Sequence, residues 1–391
     1  MNLNILHNDV QNYIEENLYR DINRILLSKS PFDNVSSREL AEQIDSKRRC
    51  EKKLPLWFAT SGIYYPPKLA IEQASSETTA KFKSSLVRGK TLLDATGGFG
   101  IDSYYFEKAG MKVLHSEINS ELSEIVQHNA QALGILNINF HQGDGLSLLN
   151  SGRSFDTIYI DPSRRVATQK VFQLQDCEPN VPGNIDMLLA ASKRLIIKTS
   201  PLLDLQAGIK ELRNITRIYV VSVKNDCKEL LWILDSDSTA SEPEIVCRTF
   251  NELEQEYRFK VSEERAFILK DFSEPQNFLY EPDVALLKAG CFKLLCQDFK
   301  INKLHLNSHL YTSEDLQSSF PGRKFMIKEW GEYKSFMKAN HRQKANIITR
   351  NFPLSPPEIK KKHRIKDGGD DFLIFTTGPS GQLLTILCMK V

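Results

Sequence analysis

Residues 92–100 read LLDATGGFG. An apolar run ends in an acid, Asp94, and Gly97, Gly98 and Gly100 follow at once. Glycines let a backbone turn with positive φ and let a ligand approach the main chain closely. Three further acids fall at equivalent places: Glu117 after KVLHS, 19 residues beyond Gly98, Asp144 in QGDG, and Asp161 in YIDPSRR. A carboxylate at Glu117 can accept from both ribose hydroxyls, a property shared by every nucleoside cofactor held this way. One at Asp144 can accept from an adenine amino group. One at Asp94 would repel a pyrophosphate and suits a ligand with a cationic near end, such as the amino group of a methionine moiety. The dinucleotide fingerprint GxGxxG fits at Gly98 and Gly100, but its third glycine is Ser103. A NAD-dependent oxidoreductase is therefore the rival reading. Asp161 can act as a general base, orient a nucleophile or cap a turn. Arg164 and Arg165 put positive charge beside it, and a guanidinium plane can stack on a base or grip a phosphate.

These residues need elements to hold them. From Lys90 short apolar runs alternate with amphipathic ones: KTLLDAT, KVLHSEI, INFHQGD, FDTIYIDPS and RLIIKTSP as strands, with helices between them. Pro162 is placed to stop the fourth strand. TRIYVVSVKN and CKELLWILDS complete the series as a hairpin. Such alternation implies a parallel sheet with helices on both faces, and ligands bind beyond the carboxyl ends of its strands. Residues 1–88 read as a helical lobe, with one helix from Lys68 to about Val87. PEIVCRTF, YRFKV and RAFILK read as later strands. The expected division is a helical lobe at 1–88, a sheet domain at 89–276, a small segment at 277–320 and a basic domain at 321–391.

The basic domain is defined by charge. From Pro321 onward there are 14 Lys and Arg against 6 Asp and Glu, whereas the rest of the chain has 37 against 43. This asymmetry points to a polyanionic partner for the C-terminal part. Lys360, Lys361, Lys362 and Arg364 form its densest run, and Trp330, Tyr333 and Phe336 are interleaved with other basic residues. Basic groups meet phosphates, and aromatics stack on unpaired bases. DGGDD reads as a tight turn with Gly368 or Gly369 at positive φ. Seven scattered cysteines without a CxxC pair indicate reduced thiols, and no histidine spacing calls for a metal. The nearest histidines, His305 and His309, are spaced to share a helix face. No secretory signal or membrane-length apolar run is present, so a cytoplasmic protein is expected.

The glycine turn and the acids resemble the class I S-adenosylmethionine-dependent methyltransferases. LLDATGGFG is similar to their first motif, D-x-G-x-G-x-G, with Thr96 in the first glycine position. Glu117 matches the ribose-binding acid, Asp144 the adenine-binding acid, and DPSR the fourth motif. The resemblance implies a Rossmann-like, seven-stranded α/β sheet with an N-terminal helical lobe and small C-terminal α+β domains. It implies S-adenosylmethionine at Asp94, Thr96, Gly97, Gly98, Gly100, Glu117, Asp144 and Asp161. It places Asp161 and Arg164 at the reaction and Arg164 and Arg165 on the substrate. Ser163 and Arg164 stand where that motif has a second proline and an aromatic ring, the group that stacks on a flipped base. From about Trp57 the chain is similar to trimethylguanosine synthases, which makes Phe58, Tyr64 and Tyr65 candidates for covering the cofactor. FLYEPDVALLKAG and KANIITRNFPLSPPEIKKK resemble a ferredoxin-like segment and a THUMP-like domain, which implies RNA, transfer or ribosomal, as partner. A non-catalytic RNA-binding protein with a degenerate sheet domain is the second alternative.

Overall fold

A computed structural model describes residues 1–164, 173–269, 272–340 and 343–391. The chain forms two compact units, one of residues 1–216 and 231–240, the other of residues 217–230 and 241–391. Among the described residues no helix is long and apolar enough to cross a membrane.

The first unit opens with the helical lobe. Ser36 and Glu39 form a reciprocal capping box that starts the helix Ser37–Lys53. Its buried face meets Ile5, Val10, Ile14 and Trp57 in one apolar cluster. The single helix expected from Lys68 is two, Lys68–Gln73 and Glu77–Ser84. Ser76 breaks the run, because its side chain accepts from the Thr79 N–H and starts the second helix afresh. The strands follow as β1 (Thr91–Asp94), β2 (Lys112–Glu117), β3 (Ile138–Gln142), β4 (Phe155–Ile160), β5 (Ser192–Thr199), β6 (Ile215–Val223) and β7 (Asp226–Asp235). Within this unit β3-β2-β1-β4-β5 lie side by side in that order, all parallel. Leu92, Leu93, Ile158 and Ile196 are wholly buried, as a sheet covered on both faces requires. β1 sits in the centre, so the turn after it opens at the crevice where the strand order reverses.

Strands β6 and β7 turn on Lys224 and Asn225, both at positive φ, the geometry a two-residue hairpin needs. In the second unit β6 pairs with β8 (Glu244–Phe250), and β8 pairs with β9 (Glu254–Phe259). β8 and β9 are the expected strands PEIVCRTF and YRFKV, and they follow the seven read for the sheet domain. Among its described residues RAFILK forms no strand: Arg265 and Ala266 end the helix Val261–Ala266. Its Glu264 is buried and accepts from the N–H groups of Phe292, Lys293 and Leu294, a role that needs a helix turned toward that loop. A second sheet joins β10 (Phe278–Pro282), β11 (Asn302–Lys303), β12 (Tyr311–Ser313), β13 (Gly322–Glu332), β14 (Asn346–Arg350), β15 (Asp371–Thr377) and β16 (Leu383–Lys390). Their order is β11-β12-β10-β13-β16-β15-β14. His305 and His309 lie in the loop between β11 and β12, not on a helix. Gly368 and Gly369 both have positive φ, as the turn signal required.

Candidate functional site

The turn after β1 is built on a buried polar cluster. Asp94 is 1% exposed. Its Oδ1 accepts from the Thr96 N–H at 3.3 Å and its Oδ2 from the Ser103 hydroxyl at 2.6 Å. Burial pushes its carboxyl up to about 7, with the Ser103 hydrogen bond opposing. The His115 ring lies beside Ser103, Nδ1 to Oγ 3.1 Å, and burial holds it down at about 4, so it is neutral at pH 7. A Cβ on Gly97 would stand 2.0 Å from Cε1 of His115, which restricts that position to glycine. Gly98 differs. It has φ +55°, and only the Thr96 carbonyl, at 3.9 Å, comes near the place of a Cβ. Its outer side is open. Gly100 caps the helix Ile101–Lys108.

The other acids gather around this turn. Glu117 ends β2 and accepts from the Gly98 N–H at 2.8 Å and the Asn119 N–H at 2.8 Å. Asp144 is exposed, and its Oδ1 accepts from the Leu146 N–H at 3.0 Å. Gly145 presses the same loop onto the turn, since a Cβ there would lie 2.5 Å from the Ala95 carbonyl oxygen. Thr96 Oγ1 accepts from the Asp161 N–H at 2.7 Å and so joins the ends of β1 and β4. The structure thus brings Asp94, Thr96, Gly97, Gly98, Gly100, Glu117, Asp144 and Asp161 to one rim.

Two features escaped the sequence. Lys198, next to last in β5, forms an ion pair with Asp161. The lysine is 13% exposed and the aspartate 33%. A lysine closing the apolar run RLII was the available signal. Beneath the turn Lys83, 0% exposed, lies 3.1 Å from Asp102 and 2.7 Å from the Ser75 hydroxyl. Asp102 Oδ2 also accepts from Ser75 at 2.8 Å and Tyr159 at 2.9 Å. Burial works against the Asp102 charge, but Lys83 and Lys198 prevail and hold its carboxyl below the usual carboxylate range.

Other candidates fall elsewhere. Tyr64 and Tyr65 belong to the lobe core, where the Tyr65 hydroxyl donates to the Trp57 carbonyl at 2.8 Å. Phe58 packs on the same cluster. The Arg164 side chain and Arg165 lie outside the described residues. In the second unit Tyr333 and Phe336 are core residues, which corrects their reading as stacking platforms: both pack on Ile359 and Phe375. Trp330 remains 38% exposed. Lys360 pairs with Asp367, and Lys362 lies over the Tyr333 ring at 5.1 Å. Lys361, Lys362 and Arg364 are exposed at the end of the helix Pro356–His363, where basic side chains also complement the helix dipole.

The chain matches two family models: a ferredoxin-like domain over residues 278–321 and a THUMP domain-like family over residues 322–390. Proteins from two strains of Mycobacterium tuberculosis, each described as an uncharacterized S-adenosylmethionine-dependent methyltransferase, are 23% identical over 164 residues. That match covers 42% of this chain and 44% of theirs, so the chain spans under half the length of those relatives. A crystal structure of a candidate methyltransferase from Porphyromonas gingivalis is 32% identical. It covers 99% of this chain and 98% of its own, with a TM-score of 0.87.

Proposed function

The chain belongs to the S-adenosylmethionine-dependent methyltransferase family and itself carries a ferredoxin-like domain and a THUMP-like domain after the sheet, and we propose that it methylates RNA. The observation that carries the cofactor reading is the rim itself. Gly98 leaves its outer side open while its N–H positions Glu117, and exposed Asp144 stands on the next loop. In this reading Glu117 takes the ribose hydroxyls, Asp144 the adenine amino group, and Asp94 the ammonium end. Ser103 argues against a dinucleotide: it stands where the third glycine of that fingerprint would be, and its hydroxyl is committed to Asp94.

S-adenosylmethionine supplies a methyl group already activated on a sulfonium, so the protein's task is to align an acceptor with it and dispose of a proton. Asp161 stands at the rim for that task, fixed through its N–H by Thr96 and through its carboxylate by Lys198. The RNA reading rests on the THUMP-like match and on the basic C-terminal part. Mass spectrometry of nucleosides from wild-type and deletion-strain RNA tests it. One methylated nucleoside should disappear on deletion and return with the wild-type gene but not with the Asp161→Ala variant. Identical nucleoside profiles would remove RNA as the substrate.

A further inference from the structure

The pairing of Asp161 with Lys198 bears on which atom receives the methyl group. We propose that the acceptor is an alcohol, the ribose 2′-hydroxyl of RNA, with Asp161 taking its proton and Lys198 holding Asp161 for that step. This rests on the RNA methyltransferase reading above.

An amine acceptor develops positive charge on nitrogen as it attacks. It gains from a bare carboxylate and is opposed by a fixed cation. At this rim the carboxylate is already bound to a lysine ammonium, and that lysine is 13% exposed, so solvent screens it little. A neutral alcohol is a far weaker nucleophile and must lose its proton as it attacks. Asp161 is the group within reach to accept that proton, and the Lys198 ammonium beside it stabilises the negative charge that deprotonation leaves on the oxygen. Asp161 is one third exposed, so an acceptor can reach it, and the Thr96 hydrogen bond fixes its backbone. The chain also has Ser163 and Arg164 in place of the proline and aromatic ring that would stack a base for amino-group methylation.

The step balances. The hydroxyl oxygen bonds to the methyl carbon as the carbon–sulfur bond breaks, its electron pair staying on sulfur to leave a neutral thioether. The hydroxyl proton passes to Asp161 and then to water. Lys198 keeps its protons throughout and is a positioning residue.

The test uses the full chain, methyl-labelled S-adenosylmethionine and total RNA from a deletion strain. A 2′-O-methyl group blocks alkaline cleavage of the adjoining phosphodiester, so the label should survive alkali as dinucleotides. Lys198→Met should lower kcat by about a hundredfold or more without raising KM for S-adenosylmethionine, and Lys198→Arg should recover about tenfold. Calorimetry with S-adenosylhomocysteine should give affinities within about threefold of wild type for both variants. Label in alkali-released mononucleotides would overturn the alcohol and leave the RNA reading standing. Unlabelled RNA with cofactor bound would remove both. Loss of S-adenosylhomocysteine binding in Lys198→Met would overturn the role given to Lys198 and place it in the cofactor pocket.

Discussion

At the scale of single residues, Asp94 gives the sharpest expectation. Burial raises its carboxyl from 3.8 to about 7, so folding takes up a proton between those values. Its contribution to stability falls as pH rises through that window and levels off above 7. In the proposed function the ammonium end of S-adenosylmethionine sits at Asp94, which reverses the preference and calls for the charged form. Cofactor affinity should therefore rise as pH climbs, up to about tenfold per unit, and flatten near 7. Calorimetry in buffers of different ionisation enthalpy should count close to one proton released near pH 5.5–6, within that window. Asp94→Asn should flatten the profile and weaken binding at neutral pH by about tenfold to a hundredfold, the effect of losing a charge-assisted hydrogen bond. A flat wild-type profile would place the ammonium elsewhere. Asp94, Glu117, Asp144 and Asp161 were legible because each follows an apolar strand, and strand ends in such a sheet meet at one rim. Lys198 was not, because its partner lies 37 residues away in sequence and only the adjacency of β4 and β5 joins them.

At the scale of elements, the turn rests on the Lys83 cluster. Lys83 comes from the helix Glu77–Ser84, Asp102 from the helix after the glycine turn and Tyr159 from β4. One ion pair therefore joins the lobe to the sheet within the first unit. Removing one member of a buried pair leaves the other charge uncompensated. Lys83→Met should cost about 3–5 kcal/mol, read from the urea unfolding of the first unit. Lys83→Met with Asp102→Leu should recover much of it, because an apolar pair removes the stranded charge. Equal losses in the single and double variants would show that the stranded Asp102 charge is not the source of the cost. Elements of clear periodicity, such as β1 to β5, were legible from the sequence. The break at Ser76 and the helix at Val261–Ala266 were not. Each is decided by a hydrogen bond, the Ser76 cap and the Glu264 acceptor, that competes with local propensity.

At the scale of the whole molecule, the proposed function has the rim hold the cofactor and the basic part hold RNA. Lys360 is already paired with Asp367, so the exposed Lys361, Lys362 and Arg364 carry the expectation. Replacing these three by Ala should flatten the log-affinity against log-salt slope for RNA by about 0.7–0.9 per lost phosphate contact, roughly 2–3 in all. Cofactor affinity should not change. An unchanged slope would make the run a solvated helix end. The charge asymmetry of the chain was visible in composition, but which aromatics remain on the surface was not, because Tyr333 and Phe336 pack inward while Trp330 does not. The most direct test of the central claim is transfer itself, with purified protein, tritium-labelled S-adenosylmethionine and RNA from a strain lacking the gene. The account predicts tritium in RNA that ribonuclease releases, and none with Asp161→Ala. Protein that binds the cofactor stoichiometrically yet leaves that RNA unlabelled would contradict it.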